Sequence, residues 1–437
     1  MNRSILRLAI PNIITNITVP LVGMADLAIL GHMGGSTDIY IGAIALGGMI
    51  FNFIYALFSF LRMGTTGFTA QAFGAGNWHV ASMAFAWSMI VAVAGGLLLI
   101  LVQVPIDWFT FRLIDSSAEV EALASEYFYI RIWAAPATLG LYALNGWFLG
   151  MQNARFPMML AILINLLNVG ANYLFVYGFG MASNGVAWGT VIAQYTGLIT
   201  GGILFLRYYR NTIAHWTAAG ILEMKAMKRF FAVNRDIVIR TLLLILAFSL
   251  FTTSSAGISD ETLAVNTLLL QFLFLFSYFL DGFAYAAESL AGKFFGSANG
   301  KALKKFTRYI FIWGTLISVP FSIAYLLAGH YILYILTDNT QVIAAASPYL
   351  PWLALIPLAS FAAFIWDGIF TGCTATSAMR NTMIISSLFI FLPLNYLLPP
   401  VMNNDGLWLA LILFMAARSI FMSSYAPKAI FGKVARS

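Results

Sequence analysis

The residues of this chain that could do chemistry are few, and they lie inside apolar segments. Asp26 falls within the first long apolar stretch, residues 10–30, with no neighbouring cation. A lone charge in hydrocarbon costs about 3 kcal/mol or more, so acids kept there tend to face a protein interior or a wet cavity and to bind a cation or carry a proton. The competing reading is a helix-end acid solvated at the headgroups. Further along, Asn165, Asn168 and Asn172 occupy one apolar stretch, and Thr190 and Gln194 the next. The pairs 168/172 and 190/194 are four apart, so each pair shares a helix face. An amide at such depth needs a hydrogen-bond partner. Ordinary interhelical bonding accounts for any one of these residues; together with Asp26 they point to a wet polar pocket.

The second half carries its own charges. Asp281 and Glu288 are seven apart, Asp367 stands where the first half has Asn145, and Arg240 lies in the segment that opens this half. Arg235 and Asp236 sit near that segment's inner end, and Arg62, Arg131 and Arg418 fall in or beside other apolar stretches. A buried arginine stays charged and seeks a carboxylate. Arg240 with Asp281 or Asp367 is the expected pair, and a structural ion pair is as good a reading as a transport site. Glu288 is expected to be solvated at the inner surface.

The elements that must position these side chains are membrane helices. The 437-residue chain is 61% hydrophobic and 9% charged, with a mean hydropathy of +0.87; soluble domains run about 25% charged. The apolar stretches are long enough to cross roughly 30 Å of hydrocarbon as helices, and they lack the alternation of a β-barrel. Twelve spans are expected, near 7–31, 39–62, 80–104, 122–148, 157–178, 184–206, 229–256, 262–290, 302–328, 343–370, 381–400 and 405–426. The start, with Arg3 and Arg7, looks like a signal-peptide opening, but Pro11, Asp26 and the length of the apolar run argue for a retained helix. Pro11 and Pro20 each remove a backbone hydrogen bond and favour a kink. With Asn12, Asn16 and Asp26 they describe a helix whose bend could follow protonation, or else a static kink.

The net charge of +7 is topological. With the N-terminus in the cytoplasm, inner connections hold Arg3, Arg7, Arg155, Arg207, Arg210, Lys225, Lys301, Arg308, Arg380, Lys433 and Arg436, among others. Outer ones hold only Arg112, beside acids such as Asp38, Asp107, Asp115, Asp260 and Asp405. This is the positive-inside pattern. It puts both termini in the cytoplasm of a multi-pass inner-membrane protein and removes any need for a nucleic-acid partner. His32, His79, His215 and His330 are too dispersed for a metal site, Cys373 is alone, and no nucleotide-binding loop or catalytic set stands out. The chain is therefore expected to be no enzyme and to hold no metal or cofactor.

Motifs recur at an offset of 222 residues: Phe73-Gly74 and Asn77 as Phe295-Gly296 and Asn299, Ala124-Ser125 and Tyr127 as Ala346-Ser347 and Tyr349, Gly146, Phe148 and Gly150 as Gly368, Phe370 and Gly372. Each half then has six spans, and an even count makes the halves parallel repeats. The expected fold is an all-α polytopic membrane protein of twelve transmembrane helices in two pseudo-symmetric six-helix bundles around a central cleft. The expected parts are an N-lobe over 1–206, a cytoplasmic linker over 207–228 and a C-lobe over 229–437. Two bundles that rock against each other give alternating access.

Four stretches carry a resemblance: Ala9 and Pro11 with Asp26, Gly31 and His32; residues 62–74, with Arg62, Gly67, Gln71 and Gly74; Asp281 through Glu288; and Asp367, Gly368, Phe370 and Gly372 followed by Met379, Arg380 and Asn381. The chain resembles the multidrug and toxic compound extrusion (MATE) transporters, specifically their DinF branch, over essentially its whole length. The resemblance implies export of amphipathic, often cationic organic compounds in exchange for H⁺, with Na⁺ as the other coupling ion. A single chain already contains two lobes and a cleft, so it is expected to work as a monomer in the bilayer. The resemblance also implies Asp26 as the proton carrier, with Asn168, Asn172 and Thr190 as its partners. Pro11, Asn16, Pro20 and Gln194 are the candidate cleft or conformational residues, and Arg240, Asp281 and Asp367 a second-lobe polar network. Many members have an aspartate where this chain has Asn172. Losing that charge weakens a Na⁺ site and leaves Asp26 as the main titrating group. Removal from water favours the neutral acid of a carboxyl, so protonation from outside would loosen Asp26 from the asparagines and let the first span rearrange. Two alternatives differ: a flippase for lipid-linked saccharides, which needs free cations for a pyrophosphate, and a membrane-embedded lipid enzyme, which needs a catalytic cluster.

Overall fold

The structure is a computed structural model and describes residues 1–31, 37–114, 116–213, 215–217, 220 and 223–434. His32, Asp115 and Arg436 lie outside the described residues. Among those described there is no strand. Hydrocarbon offers nothing to a backbone N–H or C=O, so a chain this apolar closes its own hydrogen bonds as helix.

The first half contains α1 (Asn2–Gly31), α2 (Thr37–Leu57), α3 (Phe60–Gly74), α4 (Trp78–Leu101), α5 (Gln103–Leu113), α6 (Ala118–Arg131), α7 (Ala135–Gly150), α8 (Arg155–Tyr173) and α9 (Ser183–Ile213). The second contains α10 (Met224–Ile258), α11 (Asp260–Gly296), α12 (Gly300–Leu333), α13 (Thr340–Ala346), α14 (Leu350–Gly372), α15 (Thr376–Ile384), α16 (Leu392–Leu397) and α17 (Pro399–Ala426). Single π-helical segments follow α8 (Leu174–Gly178) and α15 (Ile385–Phe391).

Eleven helical stretches among the described residues are long and apolar enough to cross a membrane. The expected fourth span, 122–148, is helical but is not one of them. It is divided by the 3-10 turn Ile132–Ala134 and carries Glu126, Arg131 and Asn145. α1 is helical from Asn2 to Gly31, on both sides of Pro11 and Pro20, as a proline-bent helix is. Two polar side chains near the prolines turn back on their own helix. Asn12 Nδ2 donates to the Leu8 carbonyl at 2.8 Å and Thr18 Oγ1 to that of Thr15 at 2.7 Å.

The chain forms two compact units, one of residues 14–69 and 77–230, the other of 1–13, 70–76 and 231–437. The first packs Phe51, Phe128, Ile132, Leu139 and Val186 into its core. The core of the second includes Phe251, Leu269, Tyr325, Leu353, Trp408 and Phe414.

The 222-residue repeat has a physical content in close helix packing. A Cβ on Gly146 would strike the carbonyl of Arg62, and a Cβ on Gly368 that of Ala284, which is the same pair of positions one repeat on. Within the second unit the relation is reciprocal: Gly74 packs on the carbonyl of Lys293, and Gly296 on the carbonyl of Gln71. The turns repeat as well. Gly76 (φ +67°) and Ala298 (φ +53°) both take the left-handed region, and Asn77 and Asn299 both cap the helix that follows by accepting from Val80 and Ala302 N–H. Alanine can hold that conformation only at a cost that glycine does not bear.

Gly368→Ala and Gly146→Ala should each lower stability by about 1–3 kcal/mol through overpacking. Detergent melting curves beside Gly48→Ala, whose added methyl meets nothing within 4 Å, would check this; an equal, small effect at all three positions would contradict it.

Candidate functional site

In the first unit the polar residues of α1, α8 and α9 join into one hydrogen-bonded chain. Asn172 on α8 spends both amide hydrogens: Nδ2 donates to Asp26 Oδ1 at 2.6 Å and to Asn168 Oδ1 at 3.3 Å. Asn168 Nδ2 donates to Thr190 Oγ1 at 3.0 Å, and that hydroxyl donates back to the Val186 carbonyl on its own helix, also at 3.0 Å. The four-residue spacing on α8 stacks the two amides on one face, and Thr190 meets them from α9. Asn168, Asn172 and Thr190 are buried and Asp26 is half-buried. The carboxylate thus ends the row as an acceptor from Asn172, while the remaining donors run the other way, from Asn172 through Asn168 and Thr190 to the Val186 carbonyl.

Gly189 makes this possible. A Cβ there would overlap Asn172 Oδ1, so α9 must be bare at this point for the asparagine to fit. Tyr177, in the π segment after α8, adds a second tie to α1 by donating to the Ile29 carbonyl at 2.7 Å, one turn beyond Asp26. Asn172 Oδ1 is buried with no hydrogen-bond partner.

Of the other candidates, Gln194 lies one turn past Thr190 on α9, half-buried, and is not part of this chain. Asn16 is buried on α1, while Pro11 and Pro20 are half-buried there. Arg131 is a cation within electrostatic reach of Asp26. It is held by Tyr127, whose hydroxyl accepts from Nη1 at 2.6 Å, and by the Phe51 ring, 4.8 Å from its guanidinium carbon. Cation–π contact and a tyrosine hydroxyl thus meet a cation that the sequence expected to seek a carboxylate.

The second unit arranges its charges differently. Arg240 on α10 pairs with Asp367 Oδ2 on α14, and Arg418 on α17 donates to the same oxygen at 2.7 Å. Arg418 is fully buried and Asp367 nearly so. The sequence singles out Arg418 as a cation in need of a carboxylate, but nothing in its spacing ties it to Asp367. Asp281, half-buried on α11, lies within electrostatic range of Arg418. Asp236 takes Arg380 at 2.6 Å, Arg235 at 3.4 Å and the Thr376 hydroxyl at 3.3 Å. Glu288 corrects an expectation: it is 1% exposed, not solvated. It sits two turns before the end of α11, where Gly372 lets α14 press against its carbonyl.

A neutral counterpart to the Asp26–Asn172 contact also occurs here. Asn395 Nδ2 on α16 donates to Ser254 Oγ on α10 at 2.7 Å. Nearby chemistry is uncharged too: Asn266 and Asn404 bond each other both ways at 2.6 and 3.0 Å, and Trp408 Nε1 donates to Asn266 Oδ1 at 2.9 Å. Asn395 is one residue off the 222-residue offset from Asn172, a signal the sequence contained.

Two predictions follow from these geometries. Gly189→Ala should displace Asn172 and lower the detergent melting temperature about as far as Asn172→Ala does; an alanine variant as stable as wild type would show that Asn172 has room to move. Asp367→Ala leaves two buried cations unpaired, which should cost about 3–5 kcal/mol, so its melting temperature should fall far more than that of Asp26→Asn.

Comparison with known proteins supports a family assignment. The MatE family model matches residues 11–174 and 237–397, one stretch in each half. DNA damage-inducible protein F of Escherichia coli K12 is 35% identical over 423 residues, covering 97% of this chain and 91% of the relative. The probable multidrug resistance protein NorM of Thermotoga maritima is 24% identical over 353 residues, covering 78% and 74%. An outward-facing multidrug resistance MATE family transporter of the MOP superfamily superposes with a TM-score of 0.89 at 19% identity, covering 99% of this chain and 96% of that one. With both halves matched and a relative aligned over nearly the whole length, this all-helical chain belongs to the MatE family, the multidrug and toxic compound extrusion transporters.

Proposed function

We propose that this protein is a proton-coupled antiporter that exports amphipathic, often cationic organic compounds by alternating access, with Asp26 as the group that takes up and releases the proton. The observation that carries this reading is the direction of the hydrogen bonds. Asn172 turns an N–H toward Asp26 and commits its other amide hydrogen to Asn168. A metal cation shared between Asp26 and Asn172 would need an oxygen there. A carboxylate facing a donor is suited to hold its own charge or lose it to a proton. Na⁺ coupling is the weaker reading, since the cluster has a single carboxylate and hard cations favour charged oxygen ligands.

Protonation would remove the charge that makes the Asn172 bond strong and loosen α1 from α8 at Asp26, with the Tyr177–Ile29 bond still in place. In this reading the stretches 1–206 and 229–437 are the two lobes, joined through 207–228. The protein works as a monomer in the inner membrane with both termini cytoplasmic. The asymmetry of the basic residues supports that orientation. A saccharide-lipid flippase fits less well, because Arg240 and Arg418 share Asp367 and Arg131 is held by Tyr127 and Phe51.

The test is efflux of ethidium from proteoliposomes under a pH gradient or a Na⁺ gradient, wild type beside Asp26→Asn. Efflux should need the pH gradient and fall at least about tenfold in the variant, a loss of about 1.4 kcal/mol or more in the driving interaction. Efflux driven by Na⁺, or untouched by the substitution, would overturn the proposal. Asn172→Asp, which adds a second carboxylate beside Asp26, should make transport respond to Na⁺ in the same assay.

A further inference from the structure

A hollow in the second unit, with apolar and polar groups both in its lining, is not used by the Asp26 site. It lies between α10 and α11, has a volume of about 450 Å³, and is lined by Ser249, Thr252, Thr253, Thr267 and Gln271. Phe248 and Phe274 also line it, with ring centroids 5.7 Å apart and planes tilted by 53°. No charged side chain is among the residues lining it.

The depth of Gln271 matters. It is eleven residues into α11, roughly 16 Å along the axis, and it is exposed on its helix. A threonine in hydrocarbon can turn its hydroxyl back on its own helix, as Thr252 does toward the Phe248 carbonyl at 3.1 Å. A glutamine amide has two donors and an acceptor, and each left bare in hydrocarbon costs several kcal/mol. An exposed glutamine at this depth, with four hydroxyls around the same hollow, therefore belongs to a wet surface.

We propose that this cavity is a substrate subsite for the flat, uncharged, hydrogen-bonding part of an organic compound, an inference that rests on the transporter reading for its biological meaning. The two phenylalanines supply aromatic faces, and Gln271 with the hydroxyls supplies donors and acceptors. With no acid on its wall, the cavity offers a cation no counter-charge to offset its lost hydration, so it favours uncharged groups. Cations and neutral compounds would then be told apart by different parts of the protein.

The test uses cysteine accessibility, because Cys373 is the chain's single cysteine and is buried. In a Cys373→Ala background, Ser249→Cys or Gln271→Cys is treated with methanethiosulfonate ethylsulfonate, a charged reagent that does not enter lipid. The probes are neutral 4-amino-1,8-naphthalimide and the flat cation ethidium. Modification should proceed at Gln271→Cys. At Ser249→Cys, naphthalimide should slow it at least about fivefold and ethidium less than about twofold, with Phe274→Ala abolishing the protection. No modification at either position means a lipid-facing surface and overturns the proposal. So does modification that naphthalimide leaves unchanged, or protection by both probes alike. Protection is read without transport, so a chain that moves no compound yet is protected keeps the subsite and loses the antiporter. The reverse result keeps the antiporter and loses the subsite.

Discussion

Asn172 has two amide hydrogens, and the polar interior of the first unit hangs on where they go. One reaches Asp26 and the other Asn168. In water such bonds would be worth little, because water would replace them. Inside an apolar helical bundle an unmade bond costs the full desolvation of the group, so the chain Asp26–Asn172–Asn168–Thr190 holds three helices in register. Gly189 is part of the same constraint, since a side chain there would occupy the place of the Asn172 oxygen. A change of charge on Asp26 acts on the most exposed link, where α1 meets α8.

The second unit handles polarity by another rule. Among its described residues Asp367 lies between Arg240 and Arg418, Asp236 takes Arg380, and a group of buried amides, hydroxyls and an indole bond one another. Ser254 and Asn395 repeat the tie between the first and fifth long helices of the other half, without an acid. The two halves therefore share a scaffold and differ in chemistry: one contains a carboxylate whose nearest partner is a neutral amide, the other a carboxylate locked between cations. A charge that already has two counter-charges is a poor site for reversible protonation, because its neutral form would leave both arginines unpaired.

What could be read from the chain alone follows from the nature of its solvent. A composition of 61% hydrophobic and 9% charged residues leaves no alternative to helices that close their own hydrogen bonds, and the repeat of Gly146 as Gly368 was visible because close backbone contact admits only glycine. Asp26, Asn168, Asn172 and Thr190 stood out for the same reason, since polar atoms at that depth are costly enough to be conspicuous. Pairing was another matter. Local spacing brings 168 beside 172, but the choice of Asp367 by two arginines 178 residues apart, the aromatic cage around Arg131 and the burial of Glu288 depend on which helix lies against which. Those neighbours are set by packing of whole faces across long sequence separations. The sequence by itself determined the solvent, the secondary structure and the identity of the costly residues. Only the tertiary structure decided their partners, because a hydrogen bond or ion pair exists between surfaces that the chain brings together after its helices have formed.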